Sequence, residues 1–165
     1  MADFNLVYQT AFWGDLLLAI PLLKYMRRMD PERKIVLACR KGFGGFMKDL
    51  GLCDEVVEVD KSDSESIQQS TKELKKRQYH WIISPHQSFR TALALRGLKA
   101  EIKVGFSDWW NFWAFDKRVN RPQSWPDAVR QLYLATAIDP SLDSRLQRVE
   151  PFFTQRAGAA IPEWT

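Results

Sequence analysis

Short apolar runs alternate along this chain with longer segments in which apolar residues return every three or four positions. Phe4–Gln9 is a short apolar stretch, the pattern of a strand buried on both faces of a parallel sheet. Asp15–Met29 then places Leu16, Ala19, Ile20, Leu23 and Met26 on one helical face. Pro21 lies inside that segment, removes a backbone donor and predicts a kink; Asp30-Pro31 predicts its end. Lys34–Cys39 reads as a second strand. A glycine-rich turn, Arg40–Gly45, leads from it into a short helix ending at Leu50. Glu55–Val59 is a third strand, and Ser62–Arg77 a polar, charged helix with Ser62 or Ser64 as N-cap. Trp81–Ser84 is a fourth strand, Ser88–Arg96 a helix and Ile102–Phe106 a fifth strand. After an aromatic run at Trp109–Phe115, Asp127–Ala137 reads as helical, and from Ile138 the pattern weakens.

Strand and helix alternate throughout, which predicts βαβ units with right-handed crossovers. The expected fold class is α/β: a Rossmann-like, mainly parallel sheet with helices on both faces. Ligands of such sheets bind beyond the carboxyl ends of the strands. The positions that follow the strands are Thr10–Asp15, Arg40–Gly45, Asp60-Lys61, Pro85–Arg90 and Ser107. A length of 165 residues suits one domain with a sizeable core.

Composition narrows the function classes. Apolar residues make up 45% and charged residues 27%, as in a folded globular chain. The net charge of +4 is mild and its Lys and Arg are dispersed, so no nucleic-acid partner is expected. No apolar run approaches the roughly 20 residues needed to span a bilayer, and Met1–Phe4 lacks the start of a signal peptide. Cys39 and Cys53 are the only cysteines, which fits a reducing cytosol better than a disulfide scaffold.

Gly14-Asp15 places a carboxylate in the turn after the first strand. It reads either as a helix cap or as a general base on the ligand edge. Gly42-Phe43-Gly44-Gly45 is out of place and incomplete as a dinucleotide fingerprint, and no P-loop motif occurs, so a nicotinamide or flavin cofactor is not expected. Arg40 and Lys41 at a strand end read as solvated charges or as anion ligands. Arg90, in a first helical turn, is placed against the helix dipole, and an anionic ligand would supply a reason for it. Two histidines, His80 and His86, and two distant cysteines offer no metal-ligand spacing. Glu58-Val59-Asp60 looks like the acidic clamp of some sugar transferases, but strand-end alternation explains it more simply. The aromatic run reads as core, as a lid, or as a surface touching lipid.

Four segments together resemble the lipopolysaccharide heptosyltransferases, glycosyltransferase family 9. The first is Gln9-Thr10-Ala11-Phe12-Trp13-Gly14-Asp15-Leu16-Leu17-Leu18. Ile82–Leu93, Ile102–Phe106 and Asp127–Leu134 follow in the family's order and spacing, so that most of residues 4–137 is covered. The resemblance implies the N-terminal, acceptor-side half of a GT-B fold, with residues 1–137 as that domain. Residues 138–165 would be a linker or tail towards a second, nucleotide-sugar domain. It implies inverting transfer of heptose from ADP-heptose to the lipopolysaccharide inner core, with Asp15 as catalytic base. Thr10, Gly14, Arg40, Lys41, His86 and Arg90 would bind an acceptor rich in carboxylates and phosphates. No metal or resident cofactor is implied, and the nucleotide sugar is a substrate. The implied place is the cytoplasm, with peripheral contact at the inner membrane. Two departures stand out. The family's hydroxyl-bearing loop positions are here Ala11 and Phe12, with Thr10 kept, and a family enzyme is about twice this length. A fragment, half of a split enzyme, and a truncated product inactive without its C-terminal half all remain open. The alternative function is a non-catalytic α/β glycolipid-binding or partner-subunit module.

Overall fold

The computed structural model describes residues 2–154. Six strands form one sheet in the order β3-β2-β1-β4-β5-β6. They are β1 (Phe4–Gln9), β2 (Lys34–Arg40), β3 (Glu55–Val59), β4 (Gln78–Ser84), β5 (Lys99–Phe106) and β6 (Lys117–Val119). Every neighbouring pair is parallel, so the Rossmann-like α/β expectation holds. The helices are α1 (Trp13–Leu17), α2 (Ile20–Met29), α3 (Gly44–Asp49), α4 (Ser64–Lys75), α5 (Phe89–Arg96), α6 (Asp127–Tyr133) and α7 (Ser141–Thr154).

Alternation along the strands builds one core on each face. Val7, Leu37, Ile83 and Val104 face Leu22, Leu23 and Met26 of α2 and Leu142 and Leu146 of α7. Leu6, Val36 and Ile82 face Leu74 of α4, Ala92 and Leu95 of α5, and Phe115.

Several expectations change. The helix expected over Asp15–Met29 is two helices, broken at Leu18–Ala19. Pro21 cannot donate to a carbonyl one turn back, so the chain starts afresh and Pro21 sits in the first turn of α2. The N-cap of α4 is neither Ser62 nor Ser64 but Asp63, whose carboxylate accepts the Glu65 N–H at 2.9 Å. β4 and β5 begin three residues earlier than their apolar cores, and β6 was not expected at all. Past Ile138, where the sequence pattern weakens, α7 buries Leu142 and Leu146. Residues 155–165 of the expected tail lie outside the described residues.

The glycine turn is a packing device. Gly42 has φ +89°, and a Cβ on Gly44 would overlap the Val56 side chain. The Gly44 N–H donates to Glu58 Oε1 at 3.0 Å, so Glu58 seats α3 against β3. Both cysteines are buried, and desolvation pushes the Cys39 and Cys53 thiols up to about 12 and about 11.

Candidate functional site

Between β1 and β4 the strand order reverses, and the crevice beyond their carboxyl ends is where such sheets hold ligands. The segments after these two strands, 10–15 and 85–88, border it. Trp13 packs on Phe43 and Phe46, with centroids 4.9 and 5.3 Å apart, and so ties α1 to the turn after β2.

Asp15 lies at the third position of α1, not at its N-cap. Its Oδ2 accepts the N–H of the N-cap residue Phe12 at 3.2 Å. Phe12 carries no acceptor to return, so only this half of a capping box forms. The cap leaves Asp15 half-buried, at the wall of a recess of about 140 Å³ shared with His86, Gln87, Arg121 and Gln131. Gly14 is exposed, and a Cβ there would meet nothing.

A second groove, about 300 Å³, lies beside the recess, and His86 lines both. Thr10, Lys61, Ser88 and Arg90 line this groove too. Ser88 caps α5 by accepting the Thr91 N–H at 3.1 Å, which puts Arg90 in the first turn, as its sequence position implied. Arg40 stands nearby with its guanidinium 5.1 Å from the centre of the Phe12 ring. Lys61 feels both Arg40 and Arg90: burial first, then their repulsion, pushes its ammonium below its ordinary value. Among the described residues none of these three cations has a carboxylate partner. Lys41, by contrast, pairs with Asp60 at 3.5 Å and lines neither cavity. Thus Thr10, His86 and Arg90 converge on one groove, Asp15 shares the recess with His86, and Lys41 is directed elsewhere.

Four further residues line the cavities without having been singled out as ligands, although Lys61 and Gln87 lie among the positions that follow the strands. Lys61 follows the third strand, and that placement was its available signal. Arg121 lies in an aperiodic segment and gave none; it reaches Asp127 at 2.9 Å and Gln87 at 3.3 Å, with its buried Nε unpartnered. Gln131 is buried and donates to the Asp15 carbonyl at 3.0 Å, while its Oε1 accepts from buried Gln9 at 3.1 Å. This pair tethers α6 to the turn that carries Asp15. Gln87 completes the set. No group of three or more His, Cys, Asp or Glu converges as a metal site among the described residues.

Burial favours the neutral form of His86. Desolvation, then the Lys61 charge, lowers its pKa below the ordinary 6.5, with Asp15 pulling the other way. The unfolded chain therefore binds the proton more readily. His86 contributes stability that is present above pH 6.5 and lost as pH falls through its folded pKa. A proton NMR titration of the imidazole should give a midpoint below 6.5, and Lys61→Ala should raise it only partway, because burial remains. An unchanged midpoint in that variant would remove Lys61 from the account.

Solved structures that share this fold include the following three. E. coli heptosyltransferase WaaC with ADP superposes with a TM-score of 0.70 at 14% identity, covering 81% of this chain and 47% of that one. The same enzyme with ADP-2-deoxy-2-fluoro heptose gives 0.69 at 15% identity, with 81% and 47% covered. The glycosyl transferase family 9 protein from Veillonella parvula DSM 2008 gives 0.70 at 18% identity, with 82% and 40% covered. The chain thus spans less than half the length of each, and at these identities the likeness is one of fold. No family model and no curated protein matches the sequence.

Proposed function

We propose that this chain is the acceptor-side domain of a heptosyltransferase-like, inverting glycosyltransferase. The carrying observation is Asp15 on the wall of the switch-point recess, next to a groove lined by Lys61 and Arg90, with Arg40 close enough to repel Lys61 and none of the three paired with a carboxylate among the described residues. In this reading the cations, with Arg121 in the recess, hold the carboxylates and phosphates of a lipopolysaccharide core acceptor, and Thr10, Gly14 and His86 border its sugar. Asp15 takes the proton from the acceptor hydroxyl as that oxygen attacks the anomeric carbon of ADP-heptose and the nucleoside diphosphate leaves. The base acts during bond formation, when the hydroxyl proton becomes acidic. The donor is held by a second Rossmann-like domain, in the same chain or in a partner. No resident cofactor or metal enters the step. The domain works in the cytoplasm, at the inner face of the inner membrane.

The test combines the chain with a candidate C-terminal half, ADP-heptose and core acceptor, and follows transfer by mass spectrometry. The chain alone should bind the acceptor, and its affinity should fall with salt because the contacts are ionic. Absence of both binding and transfer would remove this reading. Binding without transfer in any pairing would support the second reading, a non-catalytic glycolipid-binding module. The cap that Asp15 already supplies to α1 is the observation favouring it.

A further inference from the structure

The groove beside the recess carries walls that sugar recognition does not explain. Val59 at the end of β3, Ile67 of α4 and Ala94 of α5 give it aliphatic sides. Helix α4 has two apolar residues. Leu74 is buried in the core, whereas Ile67 belongs to neither core and is 39% exposed. Ile67 thus presents uncovered apolar surface where it lines the groove.

The hydroxyls on these walls are already engaged or covered. Ser88 Oγ donates to Thr91 Oγ1 at 2.9 Å and accepts the Thr91 N–H at 3.1 Å. Tyr8 and Thr10 are buried. A sugar carries a hydroxyl on nearly every carbon, and here each would lose water without gaining a partner. The recess differs, because Asp15, Gln87, Arg121 and Asp127 bring carboxylate, amide and guanidinium groups to it. At about 300 Å³ the groove is at the small end of ligand pockets, which are mostly apolar with a few convergent polar groups.

The charged groups that converge on the groove are cations. Lys61 and Arg90 line it and are exposed, so they stand at its mouth. Arg40 is close enough to repel Lys61, and among the described residues no carboxylate lines the groove. Asp60, next to Lys61 in the chain, is taken by the Ser62 N–H at 3.0 Å and by Lys41 at 3.5 Å. Aliphatic walls below two cations are complementary to an apolar body with an anionic head.

We infer that this groove binds a hydrocarbon chain ending in a phosphate, with the chain between Val59, Ile67 and Ala94 and the phosphate against Lys61 and Arg90. His86 lines both cavities, so the ligand would reach the wall shared with the recess of Asp15. As a statement about the acceptor, this rests on the function proposed above. Its test uses no donor, no core sugar and no transfer, so the two readings fail separately.

Isothermal titration calorimetry of the full chain uses straight-chain alkyl phosphates from butyl to octyl, below their micellar concentrations. Inorganic phosphate, glucosyl phosphate and octyl glucoside serve as the other probes. Octyl phosphate should bind at least about tenfold tighter than any of these three, with affinity rising about two- to fourfold per added methylene. Binding should weaken as salt rises. Ile67→Ser should flatten the dependence on chain length, and Arg90→Gln should weaken octyl phosphate at least about fivefold. Both side chains are exposed, so the thermal midpoints should match wild type. If Arg90→Gln shifts its midpoint, Lys61→Gln takes its place. Absence of octyl phosphate binding, equal affinity for glucosyl phosphate, or an unaltered octyl phosphate affinity in either variant would overturn the inference.

Discussion

Asp15→Asn is expected to lower glycosyl transfer at least about a hundredfold in the completed enzyme while leaving acceptor affinity nearly unchanged. The amide is the same size and cannot accept the hydroxyl proton. It can still accept the Phe12 N–H that Asp15 holds at 3.2 Å, so the start of α1 should survive. The substitution therefore separates two roles that overlap in this side chain. A base predicts a fall in kcat with an unchanged melting temperature. A cap alone predicts wild-type turnover, and that result would return Asp15 to a structural part. Asp15→Ala, which removes both roles, should lose activity and also destabilise the domain by about 0.5–2 kcal/mol.

The largest stability loss is expected at Asp30→Ala, about 2–4 kcal/mol by urea or thermal unfolding. The pairing of β1 with β4 slips between Phe4 and Leu6, and at that irregularity the Trp81 N–H donates to buried Asn5 Oδ1 at 3.1 Å. Asn5 Nδ2 in turn donates to Asp30 Oδ2 at 2.9 Å. Asp30 receives the Arg33 guanidinium at 3.0 Å, and Arg33 Nε donates to the Ala2 carbonyl at 2.8 Å. The alanine leaves an amide donor and a largely covered guanidinium without their acceptor. Asp30→Asn keeps an acceptor and should cost less. Equal losses for the two substitutions, or a loss within about 0.5 kcal/mol for alanine, would show that the network adds little.

The periodicity of the chain reached the architecture but only part of this network. Asp30 was legible as the end of a helix, because Asp-Pro stops one; its place beneath a strand irregularity was not. The helix expected over Ser88–Arg96 was legible within one residue: it runs Phe89–Arg96, with Ser88 as its N-cap. Pro21 was legible as a disturbance. Whether it would kink a helix or begin a new one depended on what the flanking turns could pack against. Gly42–Gly45 was legible as an incomplete dinucleotide fingerprint, but the packing reason for Gly44, its contact with Val56 and Glu58, was not.

The candidate site divides in the same way. Local patterns placed Asp15, Thr10, His86 and Arg90 after β1 and β4, since parallel strands bring their carboxyl ends to one edge. Lys41 shared that edge in sequence, but a neighbouring strand end offered Asp60, and the ion pair took it. Arg121 and Gln131 arrive from more than 100 residues beyond Asp15 along the chain. No local preference encodes such a meeting.

The sequence by itself determined the α/β order, the two-faced core and the carboxylate at the first strand's end, because each follows from side-chain spacing within one element. Only the tertiary structure decided that Asp15 both caps α1 and lines a recess with Arg121, and that Lys61 lies within electrostatic reach of Arg40 and Arg90, none of them paired with a carboxylate among the described residues. It also decided that Trp109 and Phe112 remain outside the core. These depend on distances between elements, which are set by how the sheet's crossovers pack and not by the residues alone.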